Sequence, residues 1–332
     1  MAMKPSTLGS IIYPECEGFF YELSSRRPVM EFSNTLSSRP NFWQNNQTLL
    51  SELVFVLVVA VWGISFIFTK SALEVVGPFA YNTLRMTLGG VTLAVLVGRD
   101  WSKVGRSYVW PTLVTGSILF LSYATQATGQ QFTTASKAGF LTGTNVVYVP
   151  ILSALLLRRA PAKTAIGGVV LAFAGLLLLS FEPGSFAFAP GDIWVALSGL
   201  GWACYIIVLT YYSPRLNVMA YASLHVLAAA LISSLFWLLF EPLTVVVTSS
   251  ALWVGVITTG FLIIGLGTSV QTWVTRMVSP TRVALIAAME PVFAAVGGWW
   301  IGEVITLQVL IGGSLIMMGM LTAEVGHLLR RR

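Results

Sequence analysis

Along most of the chain, apolar runs of about twenty residues alternate with short polar connections. A helix of about 20 mostly apolar residues crosses roughly 30 Å of hydrocarbon. Ten runs fit, at 50–70, 78–97, 109–131, 136–157, 163–181, 190–211, 217–240, 250–274, 281–301 and 305–327. The connections hold Gly77-Pro78, Pro183-Gly184, Ser213-Pro214 and Glu241-Pro242, pairs that end helices and make turns. The pattern predicts an all-α integral membrane protein with ten transmembrane helices.

Composition strengthens that reading. The 332 residues are 56% hydrophobic and 10% charged, whereas a soluble domain carries roughly 25% charged residues. The net charge of +6 does not imply nucleic acid, because the basic residues stand in small groups between apolar runs. Cys16 and Cys204 form neither a disulfide framework nor a metal-ligand spacing. Residues 1–46 differ from the rest, being polar and holding four of the 13 acidic residues. They lack the apolar stretch of a secretory signal and are expected to be a disordered cytosolic tail or the product of a mis-assigned start, with Met30 as the alternative start.

Lysine and arginine set the orientation. With the N-terminus in the cytosol, sixteen of the 19 basic residues fall on the cytosolic side. Only Lys70 and Lys137 fall outside, and Arg85 lies within the second run. This positive-inside bias supports an even number of spans and both termini in the cytosol; the expected location is the plasma (bacterial inner) membrane, with a eukaryotic membrane as the alternative.

The two halves echo each other. At an offset of 140, Trp62 meets Trp202, Ala80-Tyr81 meets Ala220-Tyr221, and Leu84-Arg85 meets Leu224-His225. At an offset of 145, Gln126 meets Gln271, Lys137 meets Arg282, Asn145 meets Glu290, and Gly167-Gly168 meets Gly312-Gly313. Five spans per copy make the repeats inverted, over 47–181 and 190–327. Inverted repeats suit alternating access, because exchanging the halves' conformations exchanges inward-open for outward-open.

Three stretches carry a family resemblance: WGISFIFTKSALEVVGPFAYNTLRMTLGG, TTASKAGFLTGTNVVYVPILSALLLRRAP and SPTRVALIAAMEPVFAAVGGWWIGEVITLQVLIGGSLIM. The sequence resembles the EamA branch of the drug/metabolite transporter superfamily over about residues 50–325. The resemblance implies two EamA repeats, cytosolic termini and a central cavity lined by the first four helices of each repeat. The fifth and tenth helices would be peripheral and serve a homodimer.

Several residues stand out as candidates for substrate or proton binding. Glu290 lies about ten residues into the ninth run, where a carboxylate is costly unless neutral, paired or facing a wet cavity. Pro291 follows it and permits a kink. Its repeat partner Asn145 is polar but uncharged. Arg85 and His225 form a second symmetric pair; Arg85 either holds an anionic group or snorkels to the interface. His225 either titrates near neutral pH or is a structural hydrogen-bonding residue. Gln126, within a polar stretch with Tyr123, Thr125 and Gln130, and its echo Gln271 either meet substrate or join helices. Trp62, Trp202 and Tyr81 either stack on substrate or belong to aromatic belts. Lys137 and Arg282 open the fourth and ninth runs, where a boundary charge needs no functional explanation.

With no metal-ligand cluster, P-loop or paired carboxylates on one helix face, no cofactor and no enzymatic activity are expected. The expected function is a secondary transporter, with efflux favoured, of a small metabolite such as an amino acid or drug-like compound. Proton coupling through Glu290 is the expected drive. An exchanger of sugar phosphates or nucleotide sugars, or a non-transporting membrane scaffold, is the alternative.

Overall fold

A computed structural model describes residues 42–133, 135–158, 160–179, 190–243, 248–300 and 306–330. Among them the chain is helical, without strands. In order these are α1 (Phe42–Leu73), α2 (Pro78–Val97), α3 (Val109–Gln131), α4 (Ala135–Gly143), α5 (Asn145–Leu156), α6 (Lys163–Leu179), α7 (Pro190–Tyr212) and α8 (Val218–Phe240). They continue with α9 (Ser250–Ile257), a π-helix (Thr258–Gly267), α10 (Thr268–Met277), α11 (Pro280–Ala287), α12 (Glu290–Trp300) and α13 (Leu307–Arg330). The expected tail lies outside the described residues up to position 41, and positions 42–46 already belong to α1. Lys137 sits in α4 with its side chain outside the described set, and Glu303, expected as an ordinary interfacial charge ending the ninth run, lies outside the described residues.

Four helical stretches are long and apolar enough to cross a bilayer: Gln47–Leu73, Pro190–Arg215, Val218–Phe240 and Ser250–Met277. The other expected runs are also helical but shorter, interrupted or less apolar. In α2 and α3 the amide and charged side chains Asn82, Arg85, Gln126 and Gln130 are buried, and Gln131 at the end of α3 is half-buried. Those helices therefore keep their most polar side chains inside. Leu57, Val95, Leu155, Leu231 and Leu238 are all more than half exposed. A water-facing protein would not present so much large apolar surface; hydrocarbon accepts it.

Small residues bring helices close. A Cβ on Gly89 would lie 2.6 Å from the Gly260 carbonyl oxygen, and one on Gly319 would lie 2.5 Å from that of Gly168. These contacts seat α2 against the π-helix and α6 against α13, the close backbone approach that membrane helices use.

The α2–α8 pair is fastened at both ends. The Glu241 carboxylate, directly after α8, accepts from the amides of Phe79 and Ala80, both at 2.8 Å. It satisfies the orphan donors of the α2 N-terminus and complements its dipole. At the opposite end Asn217 caps α8, accepting from Ala220 N at 3.1 Å. Its Nδ2 donates to Asp100 at 3.1 Å, in the turn after α2. Asp100 also takes a 2.6 Å bond from Lys103, which holds its carboxyl below the usual carboxylate range, Asn217 adding to the effect.

Candidate functional site

Two helices are interrupted at matching places. Thr144 separates α4 from α5, and Ala288–Met289 separate α11 from α12. Asn145 and Glu290 then open the following helices. Pro291 contributes locally, since it has no amide to offer the preceding turn. Each interruption places the start of a helix inside the bundle, its first turn tied back by amides to carbonyls of the break: Val147 to Thr144 at 2.9 Å and Val292 to Met289 at 3.0 Å.

Both N-terminal residues face one cavity, with about 50 Å³ open to the centre of a water molecule. Trp62, Ser65, Phe66 and Thr69 of α1, Arg85 of α2, and Tyr123, Gln126 and Gln130 of α3 line one side. Thr142, Asn145, Trp202, Ile206, Ile263, Gln271, Ala287 and Glu290 complete it. Seven of the expected candidates therefore converge: Glu290, Arg85, Asn145, Gln126, Gln271, Trp62 and Trp202. Ser65, Phe66, Thr69, Thr142, Ile206, Ile263 and Ala287 join them without having been singled out in the sequence. Ser65, Phe66 and Thr69 follow from helical spacing after Trp62, a signal that was available.

Tyr81 and His225 do not reach the cavity. Tyr81 is fully buried one layer behind, its hydroxyl within hydrogen-bond distance of Thr259 (2.9 Å) and Thr69 (3.3 Å). His225 is also fully buried and shares a 2.9 Å hydrogen bond with the Tyr205 hydroxyl. Its ring meets Tyr221 edge-on at 4.9 Å. The symmetry with Arg85 thus holds in sequence and fails in use: the short imidazole stays among tyrosines, while the longer arginine reaches the cavity wall. Accordingly α8 lines none of the cavity, against the implication that the first four helices of each repeat all contribute.

Arg85 neither snorkels nor pairs with a carboxylate among the described residues. It is 3% exposed. Its Nε and Nη2 donate to Asn82 Oδ1 at 3.0 and 2.6 Å. Its Cζ sits over the rings of Tyr81 and Tyr123, at 4.7 and 4.3 Å. A desolvated cation–π contact is worth about 2 kcal/mol, so neutral groups hold this cation inside the bundle. Glu290 is half-buried, and among the described residues no hydrogen bond or ion pair reaches its carboxylate. The cavity thus carries a cation and a carboxyl group without a protein counter-ion for either.

Its neutral lining also has unused capacity. Trp62 Nε1 and Trp202 Nε1 lack acceptors, and Asn145 Oδ1 and Gln130 Oε1 lack donors, among the described residues. Gln126 Nε2 donates to Thr142 Oγ1 at 3.2 Å. Trp62 rests edge-on against Phe55 at 5.7 Å, and its indole nitrogen would lie 2.5 Å from a Cβ on Gly267. Buried polar groups are normally satisfied, so this concentration of open donors and acceptors around one space fits a polar ligand. Among the described residues no group of three or more His, Cys, Asp or Glu fits a metal ion.

On the side that the charge bias assigns to the cytosol, Arg282 binds Glu52 at 2.5 Å, each side chain about 10% exposed. The pair ties α1 to α11 below the cavity. On the opposite side Lys70 donates to the Gln130 carbonyl at 2.8 Å, capping the end of α3.

Known proteins agree with this architecture. A crystal structure matches with a TM-score of 0.67 and 23% identity, covering 83% of this chain and 98% of the other. An uncharacterized transporter of Archaeoglobus fulgidus is 29% identical over 83% of this chain and 86% of its own length. A probable terminal-alkyne amino-acid exporter of Streptantibioticus cattleyicolor is 23% identical over 85% of this chain and 97% of its own. The model of the EamA-like transporter family matches twice, at residues 49–181 and 189–323. With two EamA repeats and an apolar helical exterior, this multi-pass membrane protein belongs to the EamA-like transporter family.

Proposed function

We propose that the chain is a secondary transporter that exports a small zwitterionic metabolite of the amino-acid or drug-like class. Its two inverted five-helix halves work by alternating access across ten spans, with both termini in the cytosol. The observation that carries this reading is the cavity between the halves, where Arg85 and Glu290 both lack a protein counter-ion among the described residues. A buried charge is tolerated when something compensates it. A substrate carboxylate at Arg85 and a substrate amine at Glu290 do so together, and Trp62, Phe66 and Ile263 offer an apolar side chain its contacts. Without substrate, a proton on Glu290 replaces the amine, and this exchange couples export to a proton gradient.

About 50 Å³ holds a few waters and less than an amino acid. Loading therefore requires the helices to part. The relative named as a probable amino-acid exporter supports the substrate class. The single cation among the described lining residues argues against sugar phosphates and nucleotide sugars, whose phosphates call for several.

The test is reconstitution in liposomes with pooled amino acids, sugar phosphates and nucleotide sugars, with and without a pH gradient. Gradient-stimulated movement of the amino-acid pool is expected, and its loss in Glu290→Gln from protein that still melts cooperatively. Wild-type-like transport by that variant across a pH series ends the coupling mechanism. Movement of no pool by folded protein turns the reading towards a scaffold.

A further inference from the structure

We propose that Asn82, which does not line the cavity, is a positioning residue that makes Arg85 a carboxylate receptor. This rests on the transporter reading of the same cavity and specifies which chemical group the cation selects.

Asn82 is fully buried, one helical turn before Arg85 on α2. A guanidinium has five N–H donors in a fixed plane. The Nε and Nη2 groups each give one to Asn82 Oδ1, so the side edge of the plane is occupied. The Tyr81 and Tyr123 rings fix its tilt. The end formed by Nη1 and the second N–H of Nη2 remains, and no described residue accepts from it. That end has the parallel two-donor geometry that matches a carboxylate.

The residue type at position 82 is informative. Asn82 Nδ2 is buried without a partner among the described residues, so only the acceptor half of the amide is used here. An orphaned donor is costly. Aspartate would remove that cost and bind Arg85 more strongly, but it would cancel the cation. Asparagine supplies the acceptor while leaving the charge for a ligand. Leucine would match its size and release the guanidinium from its fixed plane.

The test separates anion recognition from transport. Purified protein in detergent is melted in the presence of 3-phenylpropionate, 3-phenylpropylamine, L-phenylalanine or L-phenylalaninamide. The carboxylate-only probe isolates Arg85 from Glu290. Wild type is expected to be stabilised by 3-phenylpropionate in a concentration-dependent way. In Asn82→Asp the apparent affinity for it should fall about tenfold or more, the scale of losing one charged hydrogen bond. Stabilisation by the amine should persist. Asn82→Leu should show a smaller loss confined to the carboxylate probes, and it decides if Asn82→Asp does not fold. The proposal is overturned if 3-phenylpropionate leaves wild type unaffected, or if Asn82→Asp binds it as tightly as wild type. Counterflow of L-phenylalanine in liposomes tests transport separately: binding without counterflow counts against the transporter and leaves the receptor standing.

Discussion

Arg85 shows how one residue's use depends on its neighbours. Cation–π contacts and a fork of donors both require a planar group. Lysine at this position keeps the charge and loses both. Arg85→Lys is therefore expected to raise the KM for an amino-acid substrate about tenfold or more while the protein melts near the wild-type temperature; an unchanged KM removes Arg85 from the substrate contact. The charged site residues were legible in the sequence because a lone charge inside an apolar run demands an explanation. Asn145, Gln126 and Gln271 were legible through the repeat. The pinning of Arg85 by Asn82 was visible only as a three-residue spacing, one of many such spacings on α2. His225 passed the same sequence test as Arg85 and then turned to Tyr205, because side-chain reach and the identity of the facing helix are tertiary facts.

At the scale of elements, the interruptions do what a continuous helix cannot. They place the first residues of α5 and α12, Asn145 and Glu290, at the cavity. The sequence marked the second with Pro291 and the first only with the weaker Gly143-Thr144-Asn145, residues of low helix propensity. The π-helix at Thr258–Gly267 was equally silent, although such segments are frequent at functional sites. The Glu52–Arg282 pair illustrates a third limit. Arg282 reads as an ordinary boundary charge, and its partner lies in a helix distant in sequence. Removing one member of a buried pair strands the other charge, at a cost of about 3–5 kcal/mol, whereas replacing both by apolar groups is often neutral. Glu52→Leu and Arg282→Leu should each lower the melting temperature clearly. The double variant should recover most of the loss. Additive losses in the double variant would show that the two residues stabilise the bundle independently.

For the whole molecule, orientation in the bilayer rests on charge. Basic residues gather on one side of the proposed bilayer, with Lys70 and Lys137 opposite. Lys70 belongs to a cap on the end of α3, so its charge has local work that outweighs the bias. The Asp100–Lys103–Asn217 cluster closes the α2–α8 pair on the basic side, and Glu241 closes it on the other. If the basic side is cytosolic, Ser102 faces the cytosol and Glu74 faces outward; both are exposed. With Cys16 and Cys204 replaced by serine, Glu74→Cys should react with a membrane-impermeant maleimide in intact cells. Ser102→Cys should react only after permeabilisation. The reverse pattern would invert the topology. Labelling of both from outside would place an even number of crossings between positions 74 and 102, which is incompatible with α2 spanning the bilayer once. The labelling pattern thus tests the span assignment together with its orientation, because two positions separated by one membrane-spanning helix must answer differently.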